Sequence, residues 1–238
     1  MTEIEQIIKS LSQTHNIKVE KDETLHSPLA YLFTEDIILY NPVAIDKCYE
    51  LFNKFYRINL TDLITHMFGH ELAHRKKYKT YGIERAKVIE DVLMLFFREP
   101  TVAIDILPQN EKHLFAPYRT ASIAYMLFEE HYAVKENSLY NPTIHKAEIA
   151  YSINLLKRNL PDVRKLMHSL ILFAPETIEC YFIDPLVCLP LKYFKLFYQE
   201  FPTIRKIKFY LENEIQTPHD VFNTDKMEEL ANILLYEL

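Results

Sequence analysis

Prolines at Pro117, Pro142, Pro161, Pro175, Pro190, Pro202 and Pro218 punctuate the second half of this chain, and the pieces between them are of helical length. Proline lacks the amide hydrogen that a helix interior needs but suits the first helical turn. The spacing therefore predicts a run of short helices after about residue 110. Tyr40-Asn41-Pro42 and Tyr140-Asn141-Pro142 read as two further starts, with asparagine as the cap and proline in the first turn. The pieces differ in length and sequence, so they form no repeat family, and no linker or low-complexity stretch separates the halves.

The first half begins differently. Residues 2–13 have the pattern of a short amphipathic helix, and two β-like runs follow, Asn16–Glu20 and Ala30–Tyr40. The expected fold class is α+β, mainly helical, with a small N-terminal sheet of two to four strands. The expected division is a core over residues 1–110 and an all-helical extension over 111–238.

A chain of 238 residues that is 49% hydrophobic holds enough apolar side chains for a sizeable core. A net charge of −6 argues against a nucleic-acid binder, because phosphate affinity comes from clustered Lys and Arg. The basic run Arg75-Lys76-Lys77 with Lys79 reads as a solvated helix end, where cations complement the helix dipole. The N-terminus has no basic stretch leading into an apolar one, so no signal peptide is expected. The most apolar region, 178–198, is broken by Asp184, Pro185, Pro190, Lys192 and Lys195 and is not expected to enter a membrane. Cys48, Cys180 and Cys188 have no metal spacing and read as buried free thiols of a cytoplasmic protein.

Within residues 61–77, TDLITHMFGHELAHRKK, the side chains of Leu63, Met67, His70 and His74 recur at helical spacing, with Thr61 or Asn59 as the cap. Positions i and i+4 lie one turn apart on the same face. His70 and His74 are thereby placed to bind one zinc ion through neutral imidazoles. Glu71 stands beside the first of them, where a carboxylate can take a proton from a metal-bound water whose pKa is lowered to roughly 7. This is the chemistry of the HExxH pattern. The competing reading is an amphipathic helix with two partly buried histidines. His66, one turn earlier, reads as a packed histidine, with contact to a ligand or substrate as the alternative.

The chain has only two glycines, Gly69 and Gly82, and both fall in this neighbourhood. Gly69 in mid-helix costs about 0.5–1 kcal/mol relative to alanine, which suggests a close approach there. Lys77–Gly82 reads as the turn before the next helix, Ile83–Glu99. On that helix Ile83, Ala86, Ile89, Leu93, Met94, Phe96 and Phe97 make an apolar arc, opposite Glu84, Lys87, Asp91 and Arg98. Glu90 falls inside the arc, where an acid needs a cation or a hydrogen-bond partner.

HELAH, a turn and a second helix with an inward acid together resemble the zincin metallopeptidases in their gluzincin arrangement, over about residues 30–100. The resemblance implies a zincin-like catalytic core at 1–110, zinc as cofactor, and cleavage of protein or peptide substrates. Carried over by position, His70 and His74 are metal ligands, Glu71 is the general base and Glu90 is the third ligand. Glu84, by similarity to the repressor-cleaving zincins of mobile elements, and Asp91 remain alternatives for that ligand. The resemblance also implies that Ala30–Tyr40 is an edge strand beside the motif helix, and that an oxyanion donor comes from His131, Tyr132, His113 or His145. The sequence departs from several zincin branches. Metzincins require Gly and His where this chain has Lys77 and Thr80, the thermolysin-like aspartate is replaced by Met94, and Cys48 lacks the setting of a deformylase ligand. The alternative function is a zincin-derived module that binds a protein partner, with the metal structural or absent.

Overall fold

Thr2 opens the first helix with a reciprocal capping box: its hydroxyl accepts from the Glu5 amide while the Glu5 carboxylate accepts from the Thr2 amide. A computed structural model describes residues 2–138, 143–154, 175–178, 183–189 and 202–236. Over these the chain is mainly helical with one small sheet. Helix α1 (Glu3–His15) ends at Asn16, which adopts the left-handed conformation at φ 47°. Strands β1 (Lys18–Lys21), β2 (Leu29–Leu32) and β3 (Ile37–Tyr40) follow. The sheet order is β1-β3-β2, with β1 parallel and β2 antiparallel to β3. The segment expected as one strand, Ala30–Tyr40, is thus a hairpin whose turn spans 33–36 and carries Asp36 at φ 54°.

Asn41 caps helix α2 (Pro42–Tyr56) as its sequence implies. Its side-chain oxygen accepts from the amides of Val43 and Ala44, and its amide group donates to the carbonyls of Glu23 and Leu25. Helix α3 (Leu60–Tyr81) is capped by Asn59, whose Oδ1 accepts from the Asp62 amide at 2.7 Å. It runs four residues beyond the expected motif helix, because the turn before α4 (Ile83–Arg98) is made by Gly82 alone, at φ 105°. That value lies in the region open to glycine at little cost. Helix α5 (Pro100–Ile106) and α6 (Phe115–Ser138) come next, then a helical stretch over 143–154, here α7. After them lie α8 (Pro175–Ile178), α9 (Asp184–Cys188), α10 (Pro202–Glu214), α11 (Pro218–Val221) and α12 (Thr224–Tyr236). Pro218 opens a helix and Pro175 and Pro202 are the first described residues of α8 and α10, whereas Pro117 lies in the first turn of the 24-residue α6, which is not a short helix. Asn141, Pro142, Pro161, Pro190 and Cys180 lie outside the described residues.

The chain divides into two compact units, 1–83 with 133–148 and 84–132 with 149–238. In the first unit, α1, the sheet, α2 and α3 share a core of Ile4, Ile8, Ile17, Leu29, Ile38, Ile45, Ile64 and Phe68. A second cluster joins Phe52, Ile58 and Leu63 to Ile144 and Ala147 of α7. In the second unit Phe96, Ala103 and Phe115 pack together. There the fully buried Arg119 donates through Nη1 to the carbonyls of Phe96 and Phe97 at the end of α4. A cation at a helix C-terminus satisfies carbonyls that have no partner within the helix. Burial lowers the Arg119 guanidinium to about 10, and lowers the Lys208 amine, which donates to the Val187 carbonyl, to about 8. Among the described residues no helix is long and apolar enough to cross a membrane.

Candidate metal centre

Helix α3 turns its two motif histidines to one side, as their spacing requires. The Nε2 atoms of His70 and His74 are 3.0 Å apart and the ring planes meet at 74°. Two neutral rings make this contact as an N–H···N hydrogen bond, whereas two imidazolium ions would repel. A tetrahedral zinc held at 2.0–2.1 Å sets its nitrogen ligands roughly 3.3 Å apart, so the pair is close to the spacing that a shared metal needs. The third member is Glu130 of α6. One ligand atom from each of His70, His74 and Glu130 lies within 4.8 Å of the others, with His74 buried and the other two half-buried. On the first unit's part of α6, Glu136 takes Lys76 Nζ at 2.5 Å and Asn137 donates to the His66 carbonyl at 2.9 Å. Two imidazoles and one carboxylate fit a zinc ion, and three protein ligands are the number typical of catalytic zinc.

Glu71 is buried on the neighbouring face of α3, and its Oε2 accepts from the main-chain N–H of Tyr31 in edge strand β2 at 2.8 Å. One and two turns further on, Arg75 and Lys79 extend that face. Arg75 grips Asp36 through Nε and Nη2 at 2.7 and 3.0 Å and also donates to the carbonyls of His15 and Asn16. Lys79 Nζ donates to Asp36 at 2.8 Å. The hydrogen bond from Arg75, which outweighs the effect of burial, holds the Asp36 carboxyl far below the ordinary range, with Lys79 and Tyr31 adding to it. Lys77 is wholly buried, with its amine over the Tyr78 ring. The basic run is therefore only half solvated: Lys76 and Lys79 stay exposed, while Arg75 is half-buried and Lys77 buried. It ties the motif helix to the β2–β3 turn, to the end of α1 and to α6, because the chain supplies acids and carbonyls where solvent was expected.

Gly69 answers to α6. A Cβ there would meet Asn137 Oδ1 at 2.5 Å, so the close approach implied by a mid-helix glycine is that of a side chain. Asn137 shares His66 with Glu148. His66 Nε2 lies 2.9 Å from Glu148 Oε1, and His145 Nδ1 lies 3.5 Å from Oε2. Burial alone would raise the Glu148 carboxyl, but hydrogen bonds from His145 and His66 outweigh it and lower it to about 2. His66 is thus a packed histidine, engaged with an acid.

On α4 the burial follows the expected arc: Ala86, Phe96 and Phe97 are buried, while Glu84, Lys87, Asp91 and Arg98 are exposed. Glu90 lies on the inward side and does find a partner, the hydroxyl of Tyr125, which donates to Oε2 at 3.2 Å. The group that could hold a metal ion among the described residues is His70, His74 and Glu130; Glu90, expected as the third ligand with Glu84 and Asp91 as alternatives, is not in it. Of the oxyanion candidates, His131 and Tyr132 are buried on α6, His113 is exposed, and His145 belongs with Glu148. Sequence reasoning passed over Glu130 although the signal was present. Residues 122–129 and 131–133 of α6 are buried on every side, and Glu129-Glu130-His131 interrupts that apolar run. Acids in such a setting require partners.

No family model, curated protein or solved structure matches the chain.

Proposed function

We propose that this protein is a zinc-dependent peptidase of the zincin type, with His70, His74 and Glu130 holding the metal and Glu71 as general base. One observation carries this reading: the Nε2 atoms of His70 and His74 lie 3.0 Å apart in a group with Glu130 that could hold a metal ion, and Glu71 directly follows His70 on the same helix. Zinc would polarise a substrate carbonyl and acidify a bound water. Glu71 would take the proton from that water and pass it to the leaving amine. The zincin-like core consists, in this reading, of α3 and the sheet whose edge strand β2 lies beside it, a strand along which an extended peptide can pair. Substrates are proteins or peptides, and Cys48 and Cys188, which form no disulfide, suit a reducing, cytoplasmic setting.

A second reading has its own support. The Tyr31 amide gives Glu71 a structural use, so the same residues suit a binding module whose metal only braces the fold. Glu71→Gln separates the two. Glutamine keeps an acceptor for Tyr31 but cannot act as a base. The purified protein should carry about one zinc per chain, and Glu71→Gln should retain it while hydrolysis falls by about 10²–10⁴-fold. Equal zinc content with no hydrolysis in either protein favours the binding module. Protein that takes up no zinc overturns both metal readings.

A further inference from the structure

Tyr31 reaches helix α3 by two routes. Its main-chain N–H donates to Glu71 Oε2 at 2.8 Å, and its hydroxyl donates to Asp36 Oδ1 at 3.0 Å. Asp36 is itself held by Arg75 and Lys79, which follow Glu71 at successive turns of the same face. Strand, turn and helix are therefore closed into one ring of contacts: Glu71, Tyr31, Asp36, Arg75 and back along α3 to Glu71. In the sheet Tyr31 stands opposite Ile38, but its N–H is turned out of the ladder toward α3. An amide on the outer edge of an edge strand has no partner within the sheet; here the catalytic-motif glutamate supplies one.

We propose that Asp36 is a positioning residue for Glu71, a role that rests on Glu71 being the base. A glutamate on a helix has several rotamers, and a base must stay within hydrogen-bond reach of the proton that it takes. The Tyr31 amide fixes one carboxylate oxygen, and the remaining oxygen, Oε1, takes the proton. The bidentate Asp36–Arg75 pair has a fixed geometry that a single charge contact lacks. Through the Tyr31 hydroxyl it sets the distance of β2 from α3, and so the place of the amide that holds Glu71.

The test is amide hydrogen exchange, read residue by residue on metal-free protein, together with peptide hydrolysis by the zinc-loaded protein. Glu71→Ala removes the acceptor and gives the exchange rate of an unheld Tyr31 amide. Asp36→Asn and Tyr31→Phe, both mild changes, should accelerate exchange at Tyr31 by about tenfold or more, while the β1–β3 ladder amides keep their rates. On a peptide that the wild type cleaves, both variants should lose kcat with KM unchanged. Unchanged exchange at Tyr31, or acceleration spread evenly over the sheet, overturns the proposal, since the cluster would then be absent or merely structural. Loaded wild-type protein that cleaves no peptide removes the hydrolytic reading and with it the base that Asp36 would position. The exchange rates report separately whether Asp36 holds Glu71.

Discussion

Two adjacent faces of helix α3, about 100° apart at successive residues, treat their charges in opposite ways. On one, Glu71, Arg75 and Lys79 meet the Tyr31 amide and Asp36, so two acids and two cations are matched by protein groups alone. On the other, His70 and His74 meet each other, with their Nε2 atoms 3.0 Å apart, and belong with Glu130 to a group that could hold a metal ion. The first face is held together by the chain's own groups, and in the proposed reading Glu71 keeps Oε1 for the proton. The second has the donors of a divalent-cation site, and the difference shows how one helix can carry both a structural clamp and a ligand site without confusing them.

The sharpest way to break this comparison is to remove a donor from the second face. His74→Ala or Glu130→Ala should weaken zinc binding by more than about 100-fold, the upper end of what losing an outer-shell partner costs. Glu90→Ala should leave affinity unchanged. Competition with a chromophoric chelator measures all three, and a loss in Glu90→Ala with none in Glu130→Ala would reverse the assignment.

A smaller effect concerns how α6 is seated. Gly69→Ala forces a methyl group onto Asn137 Oδ1, and overpacking of this kind costs about 1–3 kcal/mol in denaturant unfolding. The double variant Gly69→Ala, Asn137→Ala should recover most of that loss. If it does not, the glycine serves something other than the approach of Asn137.

The smallest effect tests the first face. Asp36 has a depressed carboxyl, so its contribution to stability is full above the unfolded value of about 3.9 and is lost as pH falls toward the folded one. The stability gap between wild type and Asp36→Asn should therefore stay level from pH 7 to about 5 and narrow only below about pH 4. A gap that narrows near neutrality would mean that another group holds the clamp.

Much of this was legible in the residues themselves. Asn41 and Asn59 mark helix starts, and the spacing of His70 and His74 sets them on one face. The arc of α4 put Glu90 inward, in need of a partner. These follow from caps and from the 3.6-residue period, both properties of the local backbone. Tertiary structure decided the identity of each partner. Ala30–Tyr40 became two strands at a turn whose Asp36 meets cations of α3, far along the chain. Glu90 met Tyr125, and the acid grouped with the two histidines as a possible metal ligand is Glu130. Periodicity shows which way a side chain points. What it points at depends on which distant helix packs there, and no local hydrogen-bond pattern encodes that choice.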